Sequence, residues 1–212
     1  MGAYADLRAR MVERQLRRRG IADERVLAAM AAVPREAFVP AELRHRAYAD
    51  SALPIGEGQT ISQPWIVATI CQALELRGDE QVLEVGTGSG YSAAVLAELG
   101  AEVISVERHR QLAETACQSL DRLGVATVEV VVGDGSRGAP QRAPFEAIAV
   151  HAAAPAPPPA LLAQLAEGGR LVVPIAAGEV EALTLLRRRG EELESTSLGP
   201  CRFVPLIGEE GY

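Results

Sequence analysis

Three alternating glycines between an apolar segment and a helical segment most constrain the fold of this 212-residue chain. The apolar segment Val82–Val85 is typical of a buried strand, and Gly86, Gly88 and Gly90 follow it directly. A helical pattern over 91–99 begins where the glycines end. Open α/β sheets bind nucleotides at such a strand–turn–helix unit. Glycine permits the positive φ angles of the turn, and the helix N-terminus presents unpaired N–H groups to the ligand.

The spacing of these glycines favours one class of nucleotide. A dinucleotide fingerprint needs a glycine at position 91, where this chain has Tyr91. The carboxylate of Glu84, near the end of the strand, would repel a pyrophosphate but suits a ligand that carries an ammonium group. S-adenosyl-L-methionine carries an ammonium and a sulfonium, so the turn indicates this donor. The alternatives are a glycine turn without a ligand and, least favoured, a nicotinamide cofactor, which tight NAD binding would support.

Length and charge argue against several other classes of protein. The chain is long enough to bury the core of one α/β domain, and its 48% hydrophobic and 23% charged residues are typical of soluble globular proteins. No apolar run approaches the roughly 20 residues that span a bilayer. The formal net charge is −7, and the arginine triplets at 17–19 and 187–189 are interpreted as solvated ends of elements. We therefore expect neither a nucleic-acid nor a membrane partner.

Cysteine usage predicts a reducing compartment and no metal site. The three cysteines lie far apart, and their odd number and spacing fit neither a disulfide framework nor a set of metal ligands. Each is expected to be a small, buried, apolar residue. The sequence therefore favours a cytoplasmic protein without a metal, and we expect it to be a monomer. The cysteines are Cys71, Cys117 and Cys201.

Periodicity predicts an N-terminal helical cap followed by alternating strands and helices. The cap comprises helices over 4–19, 24–32 and 64–76, the second capped by Asp23, with an irregular stretch over 34–63. Strands are expected over 81–85, 102–106, 127–132, 145–150, 170–174, 182–187 and 202–206, with helices over 91–99, 110–123 and 157–166. This alternation predicts an α/β fold with a doubly wound, mostly parallel, Rossmann-like sheet. We expect one domain over 1–212, with the cap and its loop over 1–77 and the core over 78–212.

Three polar side chains follow strands, at the edge where such sheets bind ligands. Glu107 stands about 20 residues beyond the first glycine, where an acid accepts hydrogen bonds from ribose hydroxyls; a solvated strand end is the alternative. Asp134, followed by Gly135, is placed to reach an adenine amino group, although Gly-Asp-Gly is also an ordinary turn. His151 is either a substrate contact or, as a lone histidine more often is, a structural hydrogen-bonding residue.

The segment Gly56–Pro64 precedes the core and is a second candidate site. Its sequence, Gly-Glu-Gly-Gln-Thr-Ile-Ser-Gln-Pro, places uncharged polar residues between two glycines and a proline that favours the start of a helix. A surface loop with Ser62 as the N-terminal cap of that helix explains the pattern as well as a functional loop does. The segment alone does not decide between the two interpretations.

Several short segments are distributed over nearly the whole chain: Val33–Phe38, Leu53–Gly56, Gln59–Pro64, Val82–Tyr91, Gly133–Gly135, Ala143–Phe145, Ala152–Pro155, Gly168–Gly169 and Arg202–Leu206. Together, and in this order, they resemble the protein-L-isoaspartate (D-aspartate) O-methyltransferase family. Thr-Ile-Ser-Gln-Pro and Arg-Phe-Val-Pro-Leu are far more specific to it than the glycine turn. The resemblance implies a Rossmann-like methyltransferase sheet and methyl transfer from S-adenosyl-L-methionine to the free α-carboxylate of L-isoaspartyl residues in damaged proteins.

The resemblance also implies the roles of individual residues. Ser62 corresponds to the active-site serine of the family. The cofactor contacts map to the loop before it, to the acid after the second strand and to the Asp-Gly pair: Gly56, Gly58, Thr60, Glu107, Asp134 and Gly135. In the family the methyl ester closes to a succinimide, which hydrolyses partly to normal aspartate, and the cofactor leaves as S-adenosyl-L-homocysteine.

The chemistry implied needs positioning more than proton transfer. A carboxylate is already ionised at pH 7, so it needs no general base to attack a methyl group. Ser62 would therefore orient the carboxylate by a hydrogen bond. His151 departs from the family's pattern, which has a small residue there, and this puts the fine specificity in question. Two other functions stay open: a related methyltransferase for a small or modified carboxylate, and a cofactor-binding module without turnover.

Overall fold

A seven-stranded sheet lies at the centre of the computed structural model, which describes residues 3–177 and 180–212. A separate two-stranded hairpin precedes it in the chain. The strands are β1 (Leu53–Gly56), β2 (Gln59–Ile61), β3 (Gln81–Val85), β4 (Glu102–Glu107), β5 (Val128–Val132), β6 (Phe145–Val150), β7 (Leu165–Ala177), β8 (Val180–Arg189) and β9 (Glu192–Cys201). The helices are α1 (Ala3–Met11), α2 (Glu24–Ala32), α3 (Pro64–Leu74), α4 (Tyr91–Glu98), α5 (Arg110–Arg122) and α6 (Pro159–Gln164).

The strand order confirms the predicted doubly wound sheet. Across the sheet the order is β5-β4-β3-β6-β7-β8-β9, and pairing is parallel from β5 to β7 and antiparallel from β7 to β9. The order reverses between β3 and β6, because the chain first winds outward through β4 and β5 and then returns to the other side of β3. Open α/β sheets bind ligands at this switch point, beyond the carboxyl ends of the strands.

Apolar side chains on both faces of the sheet build the core. Successive side chains of a strand point to opposite faces, and Val82 belongs to one buried cluster while Leu83 belongs to the other. Helices α2, α3 and α4 contribute to the first cluster and α6 to the second. Burial on both faces explains why these strands have apolar runs. Within the described residues, no helix has the length and apolar character needed to cross a membrane.

The N-terminal cap has the predicted helices, with one irregularity. Asp23 caps α2 as expected, since its side chain accepts hydrogen bonds from the N–H groups of Arg25 (2.8 Å) and Val26 (3.3 Å). The segment predicted as one helix over 4–19 is instead α1 followed by a π-helical turn over Val12–Leu16 and a 3₁₀ turn that ends before Gly20. Buried Leu16 lies in the π turn. The helix over 64–76 was predicted two residues too long.

The stretch predicted as irregular contains short regular elements. Two 3₁₀ helices, Arg35–Phe38 and Ala41–Arg46, precede the β1–β2 hairpin. The hairpin turns at Glu57 and Gly58, which both have positive φ. Three-residue and four-residue strands are too short to produce a clear alternation, and this explains why the sequence did not indicate them.

The last predicted strand, over 202–206, is wrong. The chain instead forms β9 over Glu192–Cys201, antiparallel to β8, and the segment after it pairs with Ala153, which follows β6. There Ala153 donates to the Val204 carbonyl (2.8 Å) and accepts from the Leu206 N–H (2.7 Å), forming one isolated bridge. Most of β9 is polar and exposed, so it lacks the apolar signal of a strand. The strand predicted over 182–187 is present and longer, as β8.

Gly90 is required by both conformation and packing. It precedes α4 with a φ of 86°, and an added Cβ would lie 3.2 Å from the Cβ of Ala116 on α5. We expect Gly90→Ala to lower the free energy of unfolding by about 2 kcal/mol, because a left-handed conformation costs an L-residue roughly 1–2 kcal/mol and the contact adds to it. Urea unfolding measures the loss.

A matched control is available at Gly20, which has a similar φ of 94° but no atom within 4 Å of an added Cβ. Gly20→Ala should therefore cost only the conformational part, about 1 kcal/mol. Equal losses in the two variants would contradict a packing role for Gly90 against α5.

Candidate active site

A cavity of about 840 Å³ lies at the carboxyl ends of β3, β4 and β6. It receives the glycine turn after β3, the end of β4, the residue after β6 and the loop between β2 and α3. Eight of the predicted site residues line it: Gly58, Thr60, Ser62, Gly86, Gly88, Glu107, Gly135 and His151. Four do not belong to its lining: Gly56, Glu84, Gly90 and Asp134.

Two backbone N–H groups of the glycine turn attach it to the end of β4. The Gly86 N–H donates to the carbonyl of Val106 (2.8 Å), and the Gly88 N–H donates to Oε2 of Glu107 (2.8 Å). The φ angles of Gly86 and Gly88 are 92° and 53°. An added Cβ on Gly86 would lie 3.4 Å from the Cβ of His151, so the turn passes this residue closely. The result is a bare stretch of backbone beside the cavity, as a nucleotide turn requires.

Glu107 lies at the end of β4, next to the glycine turn, which is the position predicted for a ribose contact. Its side chain is buried, and its two carboxylate oxygens accept hydrogen bonds from the N–H groups of Gly88 (2.8 Å) and His109 (2.9 Å). A carboxylate oxygen has more than one lone pair, so each oxygen keeps acceptor capacity for a hydroxyl. The two backbone donors also fix the orientation of the side chain. The geometry therefore fits a ribose-binding acid.

Glu84 is fully buried, and His151 stands next to it. One carboxylate oxygen of Glu84 accepts a hydrogen bond from Ser105, whose hydroxyl also pairs with Thr87. The other oxygen lies 3.4 Å from Nε2 of His151, which is also 2.9 Å from Oγ of Ser92. The predicted carboxylate thus neighbours the glycine turn but borders the cavity through His151. Sequence reasoning found no acid beside His151, because this acid comes from the adjacent strand.

The loop before α3 brings Ser62 to the cavity. The N-terminal cap position of α3 is Gln63, without a side-chain cap, so Ser62 does not cap this helix as the alternative interpretation required. The Ser62 carbonyl accepts a hydrogen bond from Arg35 (2.7 Å). Its hydroxyl makes no hydrogen bond with the described residues. Ser62 thus has a fixed backbone and a free hydroxyl group in the cavity.

Arg35 supports the site without lining the cavity, and the sequence did not indicate it. It is completely buried, and burial lowers the pKa of its guanidinium to about 10, so it is still a cation at pH 7. It donates to the carbonyls of Ala47 (2.8 Å) and Ser62 (2.7 Å) and stacks on the ring of Tyr91 at 4.8 Å. Arg35 therefore joins the cap, the loop of Ser62 and the helix that follows the glycine turn.

Asp134 holds the C-terminal tail instead of lining the cavity. Its carboxylate accepts hydrogen bonds from the N–H groups of Ser136 (2.9 Å) and Glu209 (2.8 Å) and from the Ser136 hydroxyl (2.7 Å). Partial burial acts to raise the pKa of Asp134, but the hydrogen bonds from Glu209 and Ser136 outweigh it and lower the pKa below 3.8. Gly135 follows and lies in the cavity wall.

The tail contacts of Asp134 predict a pH-dependent loss of stability. Because the folded state lowers the pKa, the ionised side chain stabilises the fold above pH 3.8, and this contribution is lost as the pH falls through the depressed folded-state pKa. We expect Asp134→Asn to lower the free energy of unfolding by about 1 kcal/mol at pH 7 and by progressively less in acid. Urea unfolding of both proteins at pH 7 and in acid measures the difference. A difference that stays constant throughout the acid range would contradict the role of the charge.

The cavity lining has further polar residues that the sequence did not indicate as a group. Arg19 stacks on the ring of Trp65 at 4.7 Å and pairs with Asp50 at 2.9 Å. Arg202 also lines the cavity, and it is exposed. Within residues 3–177 and 180–212, no group of three or more His, Cys, Asp or Glu side chains could hold a metal ion.

The fold and the cavity together define a class of protein. A doubly wound sheet carries a glycine turn, a buried acid at the end of β4 and a cavity at the topological switch point, which is the arrangement of Rossmann-like nucleotide-binding domains. The turn has Tyr91 where a dinucleotide fingerprint has glycine. The site therefore fits the methyltransferase class of these domains.

Comparisons with known proteins identify the family. The sequence profile of the protein-L-isoaspartate(D-aspartate) O-methyltransferase (PCMT) family matches residues 7–211. A protein-L-isoaspartate O-methyltransferase of Koribacter versatilis is 54% identical over 97% of this chain and 92% of its own length. One of Methylorubrum populi is 57% identical over 94% of each chain. This chain belongs to the protein-L-isoaspartate (D-aspartate) O-methyltransferase family.

Solved structures agree with this assignment. A protein-L-isoaspartate O-methyltransferase superposes with a TM-score of 0.88 at 30% identity, over 96% of this chain and 67% of the other. A Plasmodium falciparum structure described as a protein of this type in complex with S-adenosyl-L-homocysteine superposes with a TM-score of 0.82 at 24% identity, over 98% and 99% of the two chains. The second likeness supports the fold.

Proposed function

We propose that this protein transfers a methyl group from S-adenosyl-L-methionine to the free α-carboxylate of L-isoaspartyl residues in damaged proteins and peptides. The observation that carries the proposal is that two segments meet in one cavity. One is the segment Gly56–Pro64 (the acceptor loop), and the other is the glycine turn over 86–90 (the donor turn). Ser62 and Gly86 both line it, although they belong to different parts of the chain. Family membership supports the same substrate, since the relatives are named for this activity.

The residues of the cavity fit the methyl donor. The turn at Gly86 and Gly88 presents bare backbone, and Glu107 offers carboxylate oxygens to the ribose. We propose that Gly58, Thr60 and Gly135 complete the lining around the donor, and that Gly56, Gly90 and Asp134 support this wall through their turns and contacts. Glu84 would act on the donor's ammonium from its buried position beside His151.

The chain's own contribution to the chemistry is mainly orientation. S-adenosyl-L-methionine supplies an electrophilic methyl group on its sulfonium. The acceptor carboxylate is already ionised, so the protein needs no general base. Ser62 would donate a hydrogen bond to one oxygen of this carboxylate and thereby aim the other along the line of transfer. Because Arg35 fixes the Ser62 backbone, the hydroxyl starts from a defined position. After the ester leaves the protein, the backbone nitrogen of the following residue attacks the ester carbonyl and displaces methanol, which closes the succinimide without a further role for the enzyme.

We further propose that residues 1–212 form one domain, with the cap over 1–77 and the core over 78–212. One continuous apolar cluster supports this, since it contains Met30 of the cap and Val95 of the core. We also propose that the protein is a cytoplasmic monomer that needs no metal and binds neither nucleic acid nor membranes. The three free cysteines fit a reducing compartment.

Paired peptides test the proposed function directly. Each pair has the same sequence, with an L-isoaspartyl residue in one peptide and a normal aspartyl residue in the other. With labelled S-adenosyl-L-methionine we expect methyl transfer to the isoaspartyl peptide alone. Transfer to small carboxylates but not to the peptide would instead support a related carboxyl methyltransferase. Binding of S-adenosyl-L-homocysteine without any transfer would indicate a module without turnover.

A further inference from the structure

His151 occupies a position at the cavity that its proposed roles do not yet explain. It directly follows β6, and its N–H donates to the carbonyl of Val85 (2.8 Å), which ends β3. This hydrogen bond places the imidazole beside the glycine turn. The side chain is only 7% exposed, yet it lines the cavity together with Gly86. His151 is therefore a mostly buried ring with limited access to whatever binds at the turn.

The neighbours of His151 assign the proton to Nε2. Oε1 of Glu84 is completely buried and has no hydrogen-bond donor within normal distance among the described residues. Nε2 of His151 lies 3.4 Å from it and is 2.9 Å from Oγ of Ser92. Because a carboxylate only accepts hydrogen bonds, the ring nitrogen that faces it is best protonated. In the uncharged ring, Nδ1 is then the acceptor.

Nδ1 is the atom that remains for a ligand. Nδ1 makes no hydrogen bond with the described residues. Unlike the enclosed polar atoms of these residues that lack a partner, it is accessible from the cavity. The cavity beside Gly86 therefore meets a lone pair on Nδ1, backed by the carboxylate of Glu84. A lone pair backed by a negative charge suits a cationic hydrogen-bond donor such as an ammonium group.

We infer that His151 binds the ammonium group of the methyl donor through Nδ1 and that Glu84 and Ser92 position its ring. The inference rests on the proposed function and deepens it, because it assigns the donor's amino-acid group to a residue of this chain. It also explains how fully buried Glu84 acts on the donor without a place in the cavity wall. The step involves no proton transfer, so His151 is a binding residue and not a base.

Two amide substitutions distinguish the roles of the two ring nitrogens. In His151→Asn the side-chain amide can place its oxygen near the position of Nδ1, whereas in His151→Gln the longer side chain reaches the position of Nε2. Asparagine should therefore keep an acceptor for the ammonium, and glutamine should keep only the contacts with Glu84 and Ser92. His151→Ala removes both.

Calorimetric binding of two ligands provides the readout. S-adenosyl-L-homocysteine carries the ammonium group, and its analogue without the amino group keeps the nucleoside and the carboxylate. We expect His151→Ala and His151→Gln to lower the affinity for S-adenosyl-L-homocysteine about tenfold, as for the loss of a hydrogen bond to a charged group. His151→Asn should lower this affinity about threefold or less. The deaminated analogue should bind all four proteins alike, and this binding also shows that the variants are folded.

Two results would overturn the inference. In the first, His151→Ala binds S-adenosyl-L-homocysteine as tightly as the wild type. In the second, the substitution weakens the binding of both ligands by the same factor. This result would mean that His151 shapes the cavity without recognising the amino group. These outcomes are distinct from failure of the proposed function, which would appear as wild-type protein that binds S-adenosyl-L-homocysteine but methylates no isoaspartyl peptide.

Discussion

Replacing Arg35 by methionine is expected to lower the free energy of unfolding by about 3 kcal/mol. Methionine fills much of the same space but leaves the buried carbonyl of Ala47 and the partly buried carbonyl of Ser62 without their donor, and each unsatisfied buried group costs roughly 1–3 kcal/mol. Loss of the stacking on Tyr91 adds to this. Removal of a desolvated charge returns part of the cost, since burial opposes the charged form of Arg35.

Thermal unfolding at neutral pH measures this effect. In a chain of this size a loss of about 3 kcal/mol lowers the melting temperature by roughly 6–12 °C. Arg18→Met is the matched control, because Arg18 is two-thirds exposed and pairs with exposed Glu13 at 3.4 Å. Its effect should stay within about 0.5 kcal/mol. A loss below about 1 kcal/mol in Arg35→Met would show that the two carbonyls find other donors.

The same variant tests whether Arg35 positions the acceptor loop. Well below its melting temperature, we expect Arg35→Met to reduce kcat about tenfold, because Ser62 is no longer anchored to the cap. Affinity for S-adenosyl-L-homocysteine should change much less, since the contacts of Glu107 with the glycine turn are untouched. Equal losses in kcat and in donor affinity would instead indicate a general loosening of the site.

The unit around the glycine turn could be predicted from the sequence because its signals are local. Strand β3 was predicted with its observed bounds, and helix α4 to within one residue. The apolar run, the glycines and the helix follow one another without a gap, so each part supports the interpretation of the next. The predicted acid at Glu107 also lies at the end of its strand and in the cavity.

The parts that could not be predicted depend on contacts between distant segments. Arg35, between proline and glutamate in the sequence, has no local sign of burial; Tyr91 and Ser62 enclose it only after folding. Strand β9 has an exposed polar surface at the edge of the sheet, so no apolar alternation marks it. The pairing of Glu84 with His151 could have been found, because β3 and β6 are parallel neighbours that end side by side.

The largest effect on turnover is expected at Ser62. Ser62→Ala removes a hydroxyl that makes no hydrogen bond within the described residues, so the fold should lose little. If this hydroxyl orients the acceptor carboxylate, kcat should fall about tenfold to a hundredfold, as for the loss of a hydrogen bond to a charged group. Affinity for S-adenosyl-L-homocysteine should stay within about twofold, because the other cavity groups remain.

The controls for Ser62 separate orientation from simple loss of a hydroxyl. Ser62→Thr keeps the hydroxyl and should recover part of the lost turnover. Ser195→Ala removes the same atoms from the exposed edge strand β9, and its turnover should equal that of the wild type. Unchanged turnover in Ser62→Ala would contradict the orienting role. In that case backbone groups of the loop, which Arg35 holds in place, would have to orient the carboxylate, and the Arg35→Met variant would then have the larger effect on kcat.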